Sequence, residues 1–189
     1  MNKAIAIAAV AGLAGTAAAQ TLNISADVTE IGLGGTITWT VSVTGLTAQQ
    51  YVQAYDMNLN ASYNAGTAST FATALSALVG PTAGAAAGAS ISGASGGQST
   101  LIDPLGTTFG DVVLGSFTVV AGAEGVLSYS VTDGGVLAAD IVRARLGSDL
   151  GPIAFDGAAV NSGEVRITPT PASAALLGLG GLVAARRRR

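Results

Sequence analysis

Cysteine and histidine are both missing from this 189-residue chain, and lysine occurs once, at Lys3. These absences close off much of enzyme chemistry. Without His or Cys there is no Ser-His-Asp or Cys-His nucleophile system, no imidazole acid–base catalyst and no zinc site of the usual kinds. Lys3 sits in a segment that reads as a removable leader, so Schiff-base and Ser-Lys mechanisms go with it. Carboxylates are what remains: Asp103, Asp111, Glu124, Asp133, Asp140, Asp149, Asp156 and Glu164. A glycosidase can run on two of them. Most stand beside glycine or in turns, however, where Asp serves turn geometry. The chain reads as a non-enzyme.

Charge is also scarce, and it is unevenly placed. The first twenty residues, "MNKAIAIAAVAGLAGTAAAQ", hold one cation, then a small-apolar stretch from Ala4 to Gly15, then Ala17-Ala18-Ala19 before Gln20. This is the order of a secretory signal peptide, with cleavage expected between Ala19 and Gln20. Between residues 20 and 167 there are eleven acids against Arg143, Arg145 and Arg166, a balance of −8 with no lysine. Such a surface repels nucleic acid and anionic headgroups. An exported chain without cysteine has no disulfides and must hold by its core. About 150 residues suffice, since a domain of that size buries roughly 68–70% of its unfolded surface.

The body reads as β. "TITWTVSVT" (residues 36–44) alternates without a break, with Ile37, Trp39, Val41 and Val43 on one face and Thr and Ser on the other. "TLNISADVT" points Leu22, Ile24, Ala26 and Val28 inward, and Gly32, Gly34 and Gly35 supply a turn between the two. In "AYDMNLNASY" the inward set is Tyr55, Met57, Leu59, Ala61 and Tyr63, and Asp56, Asn58, Asn60 and Ser62 form a wet row. Val113, Phe117 and Val119 share a face of a later strand, as do Leu127, Tyr129 and Val131 of the next. Period-two alternation of this kind marks half-buried antiparallel strands. "STFATALSALVGP" breaks the rhythm: Phe71, Ala74, Leu75, Leu78 and Val79 fall at helical spacing, capped by Ser69 or Thr70 and closed by Gly80-Pro81. The Gly/Ala/Ser-rich stretch over 82–99 reads as a flexible surface loop.

About seven short strands with glycine-rich turns predict an all-β, antiparallel two-sheet sandwich, cohesin-like or Ig-like, with one short helix. A closed barrel is the alternative. The order of a glycine-marked turn and alternating strand, then "YDMNLNASYN", then "GDVVLGSFTVVAGAEG" is similar to that of cohesin-like and related carbohydrate-binding sandwich domains of exported bacterial proteins. The likeness covers about residues 20–168, most of it in the body expected over 20–167.

The end of the chain, "TPTPASAALLGLGGLVAARRRR", has a separate logic. Fourteen residues from Ala172 to Ala185, Ser173 the only polar one, carry no charge and are followed by Arg186, Arg187, Arg188 and Arg189. As a helix the run would extend about 21 Å, short of the roughly 30 Å hydrocarbon core. The arginines can snorkel and mark a cytoplasmic flank. Prolines, a short apolar segment and a terminal arginine cluster over residues 168–189 resemble a PEP-CTERM sorting signal, here Pro169-Thr170-Pro171 with threonine where that family's glutamate sits. The resemblance implies export by a translocon, transient membrane retention by a short transmembrane helix, and release by an exosortase-like processing enzyme near the Pro-x-Pro motif.

Two binding chemistries deserve weighing. Asp133, Asp140, Asp149 and Asp156 lie close in sequence among glycine turns, the oxygen-rich setting that calcium favours, although the spacing is not that of an EF-hand. No other cofactor is suggested. Sugar recognition usually needs exposed aromatic platforms. Trp39 lies on an apolar face here, and Tyr51 is the one tyrosine outside the regular alternation. The expectation is an exported, non-catalytic envelope or extracellular-matrix protein of a Gram-negative-type bacterium, structural or adhesive through protein or polysaccharide contacts. A carbohydrate-recognition module beside a degradative enzyme comes second and a carboxylate-based hydrolase third.

Overall fold

The computed structural model of the chain describes residues 20–48, 50–75, 82–98, 109–134, 141–144, 149–152 and 160–170. The strands in chain order are β1 (Thr21–Ala26), β2 (Glu30–Gly32), β3 (Thr36–Thr44), β4 (Gln50–Ala61), β5 (Gly66–Ala68), β6 (Ala72–Thr73), β7 (Thr82–Ala87) and β8 (Ser90–Gly97). They continue as β9 (Val112–Ala121), β10 (Gly125–Leu127), β11 (Tyr129–Asp133), β12 (Ile141–Ala144), β13 (Asp149–Pro152), β14 (Val160–Ser162) and β15 (Val165–Thr168). The first sheet runs β14-β1-β3-β9-β5, with β6 also on β9; the second runs β13-β12-β4-β8-β7, with β11 also on β4; a small third sheet runs β10-β15-β2.

Alternation explains why the two large sheets share one core. Ile37, Trp39, Val41 and Val43 of β3 are fully buried, and so are Tyr55, Met57 and Leu59 of β4. Each such side chain contributes about 1.5–3 kcal/mol relative to exposure. Trp39 and Phe117 of the first sheet meet Tyr129 of the second, with ring centroids 4.9 and 5.1 Å away and planes near perpendicular. That is the edge-to-face geometry aromatic rings favour. Among the described residues the two large ladders stay separate, the arrangement of a sandwich and not of a closed barrel. Along one side the described residues of the two sheets are linked by single bonds, Ala68 N–H to Gly88 O at 2.7 Å and Phe71 N–H to Ala83 O at 2.8 Å.

Several expectations are corrected. Phe71 to Leu75 is not helical: Ala72 and Thr73 pair with Ser116 and Gly115 of β9. Phe71 and Leu75 are both buried, so the apolar spacing is real. The core takes those two side chains from an extended edge segment whose backbone is held across the sheets. Leu78, Val79, Gly80 and Pro81 lie outside the described residues.

Most of the expected loop over 82–99 is a hairpin. β7 and β8 pair from Thr82↔Ser95 to Ala87↔Ser90, and β8 also pairs with the central strand β4. The two-residue connection is Gly88-Ala89 with Gly88 at φ +60° and no positive φ at Ala89, the arrangement of a type II′ turn. Alanine, serine and glycine give no apolar contrast, so this strand pair carries no periodic signal.

Two smaller corrections concern register. The residues between β1 and β3 are not a simple turn, because β2 leaves to pair in parallel with β15. In β9 an irregularity opposite Val41 and Ser42 buries Leu114 and turns Val113 outward, 44% exposed, away from the face of Phe117 and Val119.

Candidate recognition face

β4 is flanked by β8 on one side and by β11 and β12 on the other, so its outward row lies in the middle of the second sheet's solvent face. Register places Thr132 opposite Asn58 and Ser130 opposite Asn60. The Nδ2 groups of Asn60 and Asn58 both donate to Thr132 Oγ1, at 3.2 and 3.5 Å, and Asn58 Oδ1 accepts from Gly93 N–H at 2.8 Å. This fixes the amide planes across three strands. Beside the row, the backbone of β4 is tied to β8 by Ala61 N–H, which donates to Ser90 Oγ at 3.0 Å. The patch can exchange hydrogen bonds with a ligand but supplies no activated nucleophile.

Asp56 stands at the head of this row, yet it is not wet. It is 1% exposed and its cross-strand neighbour Ser95 is 7% exposed. Gly134 lies over the Asp56 carboxylate so closely that a Cβ there would collide with it. The row's one charge is therefore covered, and its accessible part, Asn58, Asn60 and Ser62, is neutral.

The other acids with described side chains serve the backbone or stand on the rim. Asp27 Oδ1 accepts from Thr38 N–H at 2.9 Å, and Asp111 Oδ1 from Leu46 N–H at 3.0 Å. Glu30, Glu124 and Glu164 are exposed. Among the described residues no three of His, Cys, Asp or Glu gather into a metal-binding group. Asp133 ends β11 opposite Met57, whereas Asp149 of β13 faces Arg143, which faces Tyr51. Those two positions are six steps apart along β4, roughly 20 Å at strand rise. Asp140 and Asp156 lie outside the described residues.

Aromatic side chains are drawn inward. Tyr51, the tyrosine outside the regular alternation, is 4% exposed and meets Phe109 edge-on at 5.4 Å. Tyr55 donates to Thr73 Oγ1 at 2.9 Å and Tyr129 to Ala89 O at 2.7 Å. Burial pushes the ionisation of both phenols above its ordinary value; for Tyr55 the Thr73 bond opposes this. Tyr63 is half-buried and donates to Ala123 O at 3.1 Å. No aromatic platform is therefore exposed among the described residues.

At the ends of the body, Gln20 is half-buried just before β1, Pro169 is exposed one residue after β15, and Thr170 is half-buried. Ala17, Ala19, Pro171 and Arg186 to Arg189 lie outside the described residues. No helix among the described residues is long and apolar enough to cross a membrane.

No protein-family model matches the chain, and no curated protein matches it. Solved structures do. A type I cohesin–dockerin complex from Clostridium thermocellum aligns with a TM-score of 0.51 at 13% identity over 78% of this chain and 99% of that one. The sixth cohesin of scaffoldin B from Acetivibrio cellulolyticus, in complex with a Cel5 dockerin mutant, aligns with a TM-score of 0.50 at 12% identity over 79% and 99%. The body is thus all-β with a cohesin-like fold, as the strand order led us to expect.

Proposed function

We propose that this chain is an exported, non-catalytic adhesion module that binds a partner protein through the second sheet's outer face, centred on Asn58, Asn60 and Thr132. The hydrogen-bonded amide row on the central strand carries this reading. Its amides are held in place before any partner arrives, which lowers the ordering cost of binding. Its one acid is covered, so a partner meets no charge in the row. The two matched cohesins, in complexes with dockerins, make a protein the natural class of ligand. The lack of an exposed aromatic platform among the described residues places sugar recognition second.

The proposal extends to the chain's organisation: a leader over 1–19, a body from 20, and a sorting tail processed near Pro169-Thr170-Pro171. Removal of 1–19 would spare every described strand, since β1 starts at Thr21. Thr168 is still part of β15 and its carbonyl accepts from Leu33 N–H at 3.0 Å, which supports a body that runs up to the Pro-x-Pro motif. Pro169 is exposed immediately afterwards, where a processing enzyme can reach it.

The test is crosslinking of the mature protein to its own organism's surface fraction, comparing wild type with Asn58→Ala/Asn60→Ala and with a control on the first sheet, Thr38→Ala/Thr40→Ala. One partner protein, lost by at least ten-fold in the first variant and kept in the control, is expected. A partner kept by both variants would remove the face from consideration. Selective binding on a glycan array, with no protein partner, would favour the carbohydrate reading.

A further inference from the structure

We propose that Gln20 is a modification site: once the leader is removed, its side chain closes on its own α-amine to form pyroglutamate, leaving the mature protein without any primary amine. This rests on the leader reading above. Three observations carry it. The expected cut between Ala19 and Gln20 makes glutamine the new first residue, and Lys3 is the only lysine in the chain. The α-amine of Gln20 is then the mature protein's sole primary amine.

The third observation is the position of Gln20 in the fold. The ladder of β1 begins one residue later, at Thr21 opposite Thr44. That start is fixed by Asn23 Nδ2, which donates to Thr44 Oγ1 at 2.7 Å and to Thr21 O at 3.3 Å. Gln20 itself is outside the ladder and half-buried. Ring closure uses only atoms of Gln20, so it asks nothing of the strand behind it.

The step balances without a co-reactant. The unprotonated α-nitrogen attacks Cδ, the N–Cδ bond forms, and the Cδ–Nε2 bond breaks. Nε2 leaves as ammonia, taking one proton from the α-nitrogen, and a five-membered lactam remains. Holding both groups on one residue gives the proximity advantage of an intramolecular reaction. Because an α-amine titrates at about 7.7–8.0, closure accelerates as pH rises toward that value and levels off above it. The product has one positive charge fewer on an already acidic body. It presents no amine to reducing sugars or aldehydes and no free N-terminus to aminopeptidases.

The experiment is intact mass of the secreted protein, sequencing of its N-terminal peptide, and labelling with an amine-reactive ester under denaturing conditions. Gln20→Asn, whose shorter side chain cannot close the same ring, is run in parallel. The expected wild-type chain begins at residue 20, lacks the mass of one ammonia and takes up no label, whereas the variant takes up a single label. A wild-type chain that begins at Gln20 with full mass and one label overturns the proposal and leaves the leader reading intact. A chain that begins elsewhere overturns both.

Discussion

Tyr55 and Tyr129 carry hydroxyls into an apolar interior, where each donates to another part of the sandwich: Tyr55 to Thr73 Oγ1 of β6 and, at 3.4 Å, to Leu114 O of β9, and Tyr129 to Ala89 O of the β7–β8 turn. Burial raises both phenols above their ordinary ionisation. The sign of the resulting pH dependence is fixed by linkage. A folded-state value above the unfolded value of about 10 means that the neutral form is favoured by folding. The contribution is complete below about pH 10 and is lost as pH rises through the folded value. Thermal unfolding should therefore give no tyrosine-linked change between pH 7 and 9, then a falling Tm above about pH 10. In Tyr129→Phe the buried Ala89 carbonyl loses its donor, so neutral stability should drop by about 1–3 kcal/mol while the alkaline loss becomes shallower. An alkaline slope unchanged in Tyr129→Phe would show that Tyr129 ionises freely in the fold.

Within the elements, the β7–β8 hairpin shows what small residues can build. Gly84 and Gly93 face each other across it at φ +72° and +67°, the left-handed region. A Cβ on Gly93 would meet nothing within 4 Å, whereas one on Gly84 would sit 2.8 Å from both Ile91 Cγ2 and Ser92 O. Gly93→Ala should thus cost only the left-handed penalty, about 1–2 kcal/mol. Gly84→Ala adds steric conflict with backbone and should cost at least a further ~1 kcal/mol. Denaturant midpoints of the two variants decide this, and equal losses would contradict the geometry. The hairpin also shows where reading the sequence ran out. β1, β3, β4 and β11 were legible because each sets large apolar side chains against polar ones at period two. β7 and β8 offer mostly Ala, Ser and Gly to both faces, with Ile91 the one large apolar side chain, so no period marks them. Phe71 and Leu75 misled in the other direction, since a spacing of four residues also results when an irregular edge segment sends two side chains into one core. The amide row was visible as alternation. That Asp56 would be covered was not, because its cover comes from Gly134, far away in sequence.

For the molecule as a whole, eleven acids against three arginines between residues 20 and 167 make self-repulsion a standing cost. Of the described acids, Asp27 and Asp111 accept backbone N–H bonds, and Glu30, Glu124 and Glu164 are exposed in or beside the strands of the small third sheet, where Glu30 pairs in register with Arg166. Repulsion among surface charges is screened by any salt, because the Debye length falls from about 30 Å at 0.01 M to about 8 Å at 0.15 M. A specific cation site behaves differently, since it stabilises by mass action at concentrations near its own Kd, whatever the ionic strength. Backbone register sets Asp133 opposite Met57 and Asp149 opposite Arg143, itself opposite Tyr51, so the two acids enter the second sheet at different positions along β4. We therefore expect Tm at pH 7 to rise by a few degrees between 0.01 and 0.15 M sodium chloride, with calcium and magnesium chloride at matched ionic strength indistinguishable from each other. A calcium-specific rise at micromolar concentration, absent with magnesium, would mean that acids from different elements converge on a cation after all. The recognition face would then have to be considered beside a bound positive charge, not as a neutral amide surface.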